Sequence, residues 1–282
     1  MEIEWENTES EYELRNPPDF ITHLNYVTFI NTLARDINIS YEPSIRSKIN
    51  ISSILNKKIN LIKLTLKSIK GEYKTIQSNP DYAELCVSWI SVKAYYLIFN
   101  LLLILEYLLT GQDSSFGVTH KKVLRRFKKR LERNEIYFNK KIFNSNFQCS
   151  EIMVLRGATS GANLKIAGVN TKERAIHILK KLTNYKLEDF KREIGIKNFR
   201  HKKERIKRDK FLKDNTVNIC EFFYWYRIKA NYRDLEFLNK DISNYKFVDY
   251  YKNYYELTLT FYRGFQNLIN DLARTRFNKE IL

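Results

Sequence analysis

The stretch SNPDYAELCVSWISVKAYYLIFNLLLILEYLLTG, residues 78–111, decides the fold. Ser78-Asn79-Pro80-Asp81 starts a helix, with a capping residue ahead of a proline that suits only a first turn. Thr110-Gly111 ends it, because glycine takes the left-handed conformation that closes helices. The intervening 81–110 is apolar almost all round, so this helix belongs at the centre of the molecule. Its densest run, AYYLIFNLLLIL (94–105), is bracketed or interrupted by Lys93, Asn100 and Glu106. The run is too short for a membrane span and reads as a buried helix, so no transmembrane segment is expected.

Outward from that helix, apolar residues recur at helical spacing. They do so in FITHLNYVTFINTLARDI (20–37) and in 42–76, where Ile51, Ile54, Leu55, Ile59, Ile62, Leu64 and Leu66 lie on or near one stripe. Two more long helices follow near the C-terminus, 217–241 and 245–274, broken at Ser243-Asn244. Four long helices, 42–76, 81–110, 217–241 and 245–274, predict an all-α protein built as an antiparallel bundle. We divide the chain into an acidic arm (1–18), the first half of the bundle (19–119), a basic, mostly helical insertion (120–216) and the second half (217–282). The insertion reads as a basic helix at 119–136, short helices from 171 and at 186–194, and a second basic helix at 198–214. Residues 139–170, with three of the eight glycines, read equally as a strand pair or an ordered loop.

Composition supports this outline. Eight glycines and four prolines in 282 residues argue against sandwiches, barrels and dinucleotide-binding sheets. Cys86, Cys149 and Cys220 stand far apart, which gives no zinc signature and suits a reducing, cytoplasmic setting. The opening MEIEWENTESEYEL places six glutamates before the first basic residue, and we expect no secretory leader. The net charge of +17 is focused. Residues 120–141 hold ten Lys/Arg against two Glu, and 197–213 hold nine against Glu204 and Asp209. Charge gathered in this way points to a polyanion, nucleic acid before an anionic membrane. The predicted contacts on the first basic helix are Lys121, Lys122, Arg125, Arg126, Lys128, Lys129 and Arg130, with Leu124, Phe127 and Leu131 as its narrow apolar stripe. On the second they are Arg200, Lys202, Lys203, Arg205, Lys207 and Arg208, with Phe199, Ile206 and Phe211 as the stripe.

Two stretches resemble the HEPN (higher eukaryotes and prokaryotes nucleotide-binding) superfamily. The first is WISVKAYYLIFNLLLILEYLLTGQDSSFGVTHKKVLRRF (89–127), with Tyr95, Tyr96, Phe99, His120 and Phe127 in the places of a YY-x-x-F helix, a His and a basic helix ending in Phe. The second is RIKANYRDLEF (227–237), where nuclease members carry Arg, four to six residues, then His. Here Tyr232 stands in place of that His. The likeness spans roughly 81–127 and 217–274. It implies a dimer with a composite cleft, an arginine on the scissile phosphate, an imidazole moving the ribose 2′-OH proton, and neither metal nor cofactor. It also implies a setting in prokaryotic defence or toxin systems.

On that basis the catalytic candidates are Arg227, Asn231, Tyr232 and Asp234, supported by Asn100 and His120. Guanidinium is a permanent cation with phosphate-shaped donors, whereas a phenol titrates near 10 and is a poor proton shuttle. Residues 227, 231 and 234 share a helix face, and 232 lies roughly 140° round from 227. The same strip also reads as an ordinary polar helix surface, and Tyr232 as a half-buried bundle residue. His120 either packs at a helix start or assists catalysis. His201 sits in a basic run and suits phosphate contact, while His23 and His177 suit packing. Asn100, a polar residue in the central helix, is expected to face the motif helix, since a buried amide must find partners. The functional expectation is an RNA-binding protein that acts as a metal-independent endoribonuclease or effector subunit, as a homodimer or within a larger complex. The alternatives are a non-catalytic nucleic-acid-binding subunit, or a structural protein that docks an acidic protein or membrane surface.

Overall fold

The computed structural model describes residues 19–42, 48–157, 171–232 and 244–282, with the side chains of 229–232 outside that description. The protein is all-α. Its helices are α1 (Asp19–Ala34), α2 (Ser53–Ser78), α3 (Tyr82–Thr110), α4 (His120–Glu132), the short α5 (Lys141–Asn144) and α6 (Cys149–Val154), α7 (Thr171–Glu193), α8 (Lys202–Asp214), α9 (Phe222–Tyr232) and α10 (Asn244–Phe277). Two small antiparallel pairs complete it: β1 (Ile39–Tyr41) with β2 (Ile136–Phe138), and β3 (Phe147–Gln148) with β4 (Thr216–Val217).

α3 occupies the centre, as its composition requires. α2, α9 and α10 pack against it, and α1 packs on α10. From Leu97 to Leu108 every residue of α3 is buried. Among the described residues it is the helix long and apolar enough to cross a membrane, and most of that apolar window is covered by protein. It ends at Gly111, with φ at 72° and its N–H donating to the Tyr107 carbonyl at 2.7 Å. α2 meets the core through Leu55, Ile59, Ile62, Leu66, Ile69 and Ile76, a heptad-like stripe. The insertion adds Val123, Phe127, Ile152 and Leu179 to the same contiguous core.

Polar ties fix how the helices meet. Glu72 of α2 pairs with Lys93 of α3 and accepts from the Tyr251 hydroxyl of α10 at 2.8 Å. Arg276 near the end of α10 donates to the Leu108 and Leu109 carbonyls, which satisfies the orphan acceptors at the end of α3. Arg130 of α4 forks onto both oxygens of Glu106, at 2.9 and 2.8 Å, and reaches Glu135 at 2.6 Å.

Several boundaries differ from expectation. The helix expected over 42–76 begins only at Ser53, because Ser52 caps it by accepting from the Ile54 N–H at 3.1 Å. The helix expected over 20–37 stops at Ala34, and the chain then pairs as β1. The two short helices expected after 171 are one, α7, unbroken to Glu193. In the undecided stretch 139–170 the described part holds α5, β3 and α6; β3 pairs with β4 across the insertion, and 158–170 lie outside the described residues. The helix expected over 217–241 starts with a 3-10 turn, Ile219–Glu221, before α9. The acidic arm 1–18 also lies outside the described residues.

The Glu106 carboxylate is almost fully buried beneath Arg130. Glu106→Ala should cost about 2–3 kcal/mol in chemical denaturation, a little under the usual cost of breaking a buried pair because Arg130 keeps Glu135.

Candidate functional site

Arg227 lies on the α9 face that meets α3. Its side chain is buried, 8% exposed, yet no carboxylate pairs with it among the described residues. Three rings surround it instead. The guanidinium carbon is 4.8 Å from the ring centre of Tyr95, 5.7 Å from that of Tyr96 and 5.5 Å from that of Tyr224. Its Nη1 donates to the Tyr96 hydroxyl at 3.3 Å, and its Nε is buried with no hydrogen-bond partner. A guanidinium carries five N–H donors. Ring faces offset part of the cost of burying the charge, and among the described residues Nη1 alone of the guanidinium nitrogens has a hydrogen-bond acceptor.

His120, the first residue of α4, joins this cluster from the other side. The loop from Gly111 to Thr119 returns the chain alongside α3, and Phe99 and the His120 ring sit 4.1 Å apart. A 2.6 Å hydrogen bond links His120 Nδ1 and the Tyr95 hydroxyl. Tyr95 therefore touches both Arg227 and His120. Burial lowers the His120 pKa below its ordinary 6.5, and the nearby Arg227 and Lys58 charges push it the same way. Burial raises Tyr95 far above the usual phenol value, against the pull of Arg227, so its hydroxyl keeps its proton. At neutral pH the site holds one permanent cation, one neutral imidazole and a protonated phenol. Tyr96, 39% exposed, forms its rim.

The other predicted residues separate. Asn100 is buried but donates to the Tyr96 carbonyl of its own helix at 2.7 Å; among the described residues its Oδ1 lacks a partner and no hydrogen bond joins it to α9. Asn231 and Tyr232 belong to the last turn of α9, and Asp234 lies outside the described residues. His23 is buried with its ring edge-on to Tyr226 at 4.7 Å, and His177 Nε2 bonds the Tyr26 hydroxyl at 2.8 Å. His201 precedes α8, where its backbone N–H donates to Glu204.

The basic residues divide into two classes. Lys128 and Arg130 were predicted to contact a polyanion, but both point inward: Lys128 onto Glu221 and the Thr216 carbonyl, Arg130 onto Glu106 and Glu135. Lys121 pairs with Asp189 and Glu193, and Arg208 with neighbouring Asp209. Lys122, Arg125, Arg126 and Lys129 on α4, with Arg200, Lys202, Lys203, Arg205 and Lys207 at α8, make no ion pair among the described residues. Two stripe residues also move. Ile206 is 59% exposed, and Leu212 is the residue that anchors α8; on α4 Val123 is buried where Leu124 was expected.

Sequence reasoning missed Tyr95, Tyr96 and Tyr224 as site residues. The signal was present, since Tyr224 sits one turn before Arg227 and the YY pair lies in the resembling stretch. Among the described residues no three His, Cys, Asp or Glu gather as a metal cluster. Comparison with protein-family models, curated proteins and solved structures yields no match to this chain.

A histidine with a lowered native pKa makes stability depend on pH in one direction. The unfolded state binds a proton first, so stability is complete above about 6.5 and declines as pH falls from there towards the native value. Denaturation midpoints of His120→Gln should show a shallower decline across that window than the wild type.

Proposed function

We propose that the protein binds RNA and cleaves it without metal at the Arg227–His120 site. The observation that carries this reading is a buried arginine, with no carboxylate on it among the described residues, whose aromatic box also orients a neutral histidine. A cation short of counter-charge and of hydrogen-bond acceptors is poised for an external anion. Arg227 holds the scissile phosphate and stabilises the charge that builds on it. His120 Nε2 takes the proton of the ribose 2′-OH while Nδ1–H donates to the Tyr95 oxygen. The O2′–P bond forms, the P–O5′ bond breaks, and the products are a 2′,3′-cyclic phosphate and a 5′-hydroxyl. His120 thus takes the role that the resembling nucleases give to a histidine on the arginine's own helix.

His120, protonated by that transfer, returns the proton to the departing 5′-oxygen, so the step balances within one copy. A second copy of the chain is expected against the exposed N-terminal face of α3. Leu85 and Trp89, 70% and 57% exposed, lie on the same α3 face as Tyr96, so an apolar strip leads directly to the site. The exposed cations of α4 and α8 supply the salt-sensitive grip on the RNA backbone.

The test incubates labelled RNA with the full chain in EDTA. We expect cyclic-phosphate ends, a loss of about 10²–10³-fold in Arg227→Lys and a similar loss in His120→Gln. Cleavage that survives His120→Gln would sink the assignment of the base. Tight binding without products in the wild type would support the non-catalytic subunit instead. Trp89→Glu should convert dimer to monomer in sedimentation equilibrium. Neutralising Lys202, Lys203, Arg205 and Lys207 together should flatten the log–log salt slope by about 0.7 per phosphate contact removed.

A further inference from the structure

A second concavity, of about 420 Å³, opens between α4, α7, α8 and α9. At its floor two ammonium groups share one carboxylate. Lys128 Nζ donates to the Thr216 carbonyl at 2.7 Å and to Glu221 Oε1 at 2.8 Å. Lys186 Nζ donates to the same carbonyl at 2.8 Å and to Glu221 Oε2 at 3.1 Å. Glu221 is buried and also accepts from Trp225 Nε1 at 3.3 Å, so its lone pairs are occupied. An ammonium has three donors. Lys128 spends two of its three N–H groups and keeps one in hand, while Lys186 also reaches Glu221 Oε1 at 3.4 Å, and the trio carries a net charge of +1 at depth. Both lysine side chains are 14% exposed. Burial lowers the Lys128 pKa by more than Glu221 restores, as expected for a charge short of compensation.

The walls suit a flat aromatic group. Tyr224 and Trp225 form one side, and Phe190 and Phe211, stacked at 4.4 Å, form the other. At the mouth Lys121 pairs with both Asp189 and Glu193, at 2.6 and 2.5 Å, and Arg192 is a second cation on Asp189, at 3.1 Å. Arg125 stands exposed beside them, without an ion-pair partner among the described residues. The site therefore offers two deep ammonium groups with one unspent donor on Lys128, an exposed guanidinium at its rim and aromatic sides, in a volume suited to a small-molecule ligand.

We propose that this pocket binds a nucleoside phosphate, with the phosphate on Lys128, Lys186 and Arg125 and the base between the aromatic walls. The proposal goes beyond the Arg227 site and holds whether or not that site cleaves. The two are neighbours, because Tyr224 lines the pocket and also borders the Arg227 guanidinium. The occupant is either a free nucleotide or one nucleotide of an RNA chain.

Calorimetry and tryptophan fluorescence on the full chain, titrated with AMP, GMP, CMP, UMP, a short 5′-phosphorylated oligoribonucleotide, adenosine and inorganic phosphate, test it. At least one nucleotide should bind about tenfold or more tightly than both adenosine and phosphate, because charge-assisted and stacking contacts act together. Mononucleotide binding identifies a free ligand; binding of the oligonucleotide alone identifies a subsite for RNA. Arg125→Ala should weaken binding about tenfold, and Leu124→Trp, which fills the pocket from a half-buried position, should abolish it. Both variants sit near the rim, so they carry the test even if Lys186→Met fails to fold. Arg227→Ala should leave nucleotide affinity within about twofold while removing cleavage, which separates failure of this proposal from failure of the nuclease reading. Absence of saturable binding by every nucleotide and by the oligonucleotide overturns the pocket. So does binding indifferent to Leu124→Trp, or phosphate alone binding as well as a nucleotide.

Discussion

Everything in this molecule depends on covering α3. A 29-residue helix with apolar side chains on every face must be surrounded, since each large side chain left in water forfeits about 1.5–3 kcal/mol. α2, α9 and α10 provide that cover, and helices of the insertion complete it. The same constraint explains the site. Towards its N-terminal half α3 gives up uniform apolarity for Tyr95, Tyr96 and Asn100, and the arginine of α9 finds its partners there.

The sequence made the central helix legible because Pro80 and Gly111 bound an unbroken apolar run. It made α10 legible for similar reasons, and the observed Asn244–Phe277 differs from expectation by only a few residues. It failed where tertiary pairing outcompetes local propensity. Nothing in 136–138 or 216–217 announces a strand, because each pairs only with a distant segment. The unity of α7 was hidden because Asn184-Tyr185-Lys186 looks like a break. Yet Tyr185 packs on Trp225 and Lys186 anchors on Glu221, so packing holds the helix straight through it.

Charge was the least legible property. A run such as KKVLRRFKKR (121–130) reads as one basic face, but a helix turns its lysines in every direction. Those pointing inward met Glu106 and Glu221, two acids far away in sequence, and became internal ties. Of those pointing outward, Lys122, Arg125, Arg126 and Lys129 make no ion pair among the described residues. Counting charges located two basic segments without telling which of their cations are spent inside the fold.

The site itself shows how sequence spacing and spatial proximity diverge. An Arg-x4-Tyr on α9 left open a variant site or a lost one, because a phenol titrating near 10 is a poor substitute for imidazole near neutral pH. His120 changes that inference, since it reaches the arginine's aromatic box from another helix and is held neutral by burial and by Arg227 itself. The arginine and histidine need not share a helix for general-base chemistry; they need a common frame, and Tyr95 supplies it by touching both. α9 then does double duty. Its Arg227 and Tyr224, one turn apart, face that frame, while Trp225 contacts the Glu221–lysine cluster of the neighbouring pocket. Tyr224 borders both places, so the packing that holds α9 against α3 and α7 sets the wall of the pocket and the seat of the arginine together.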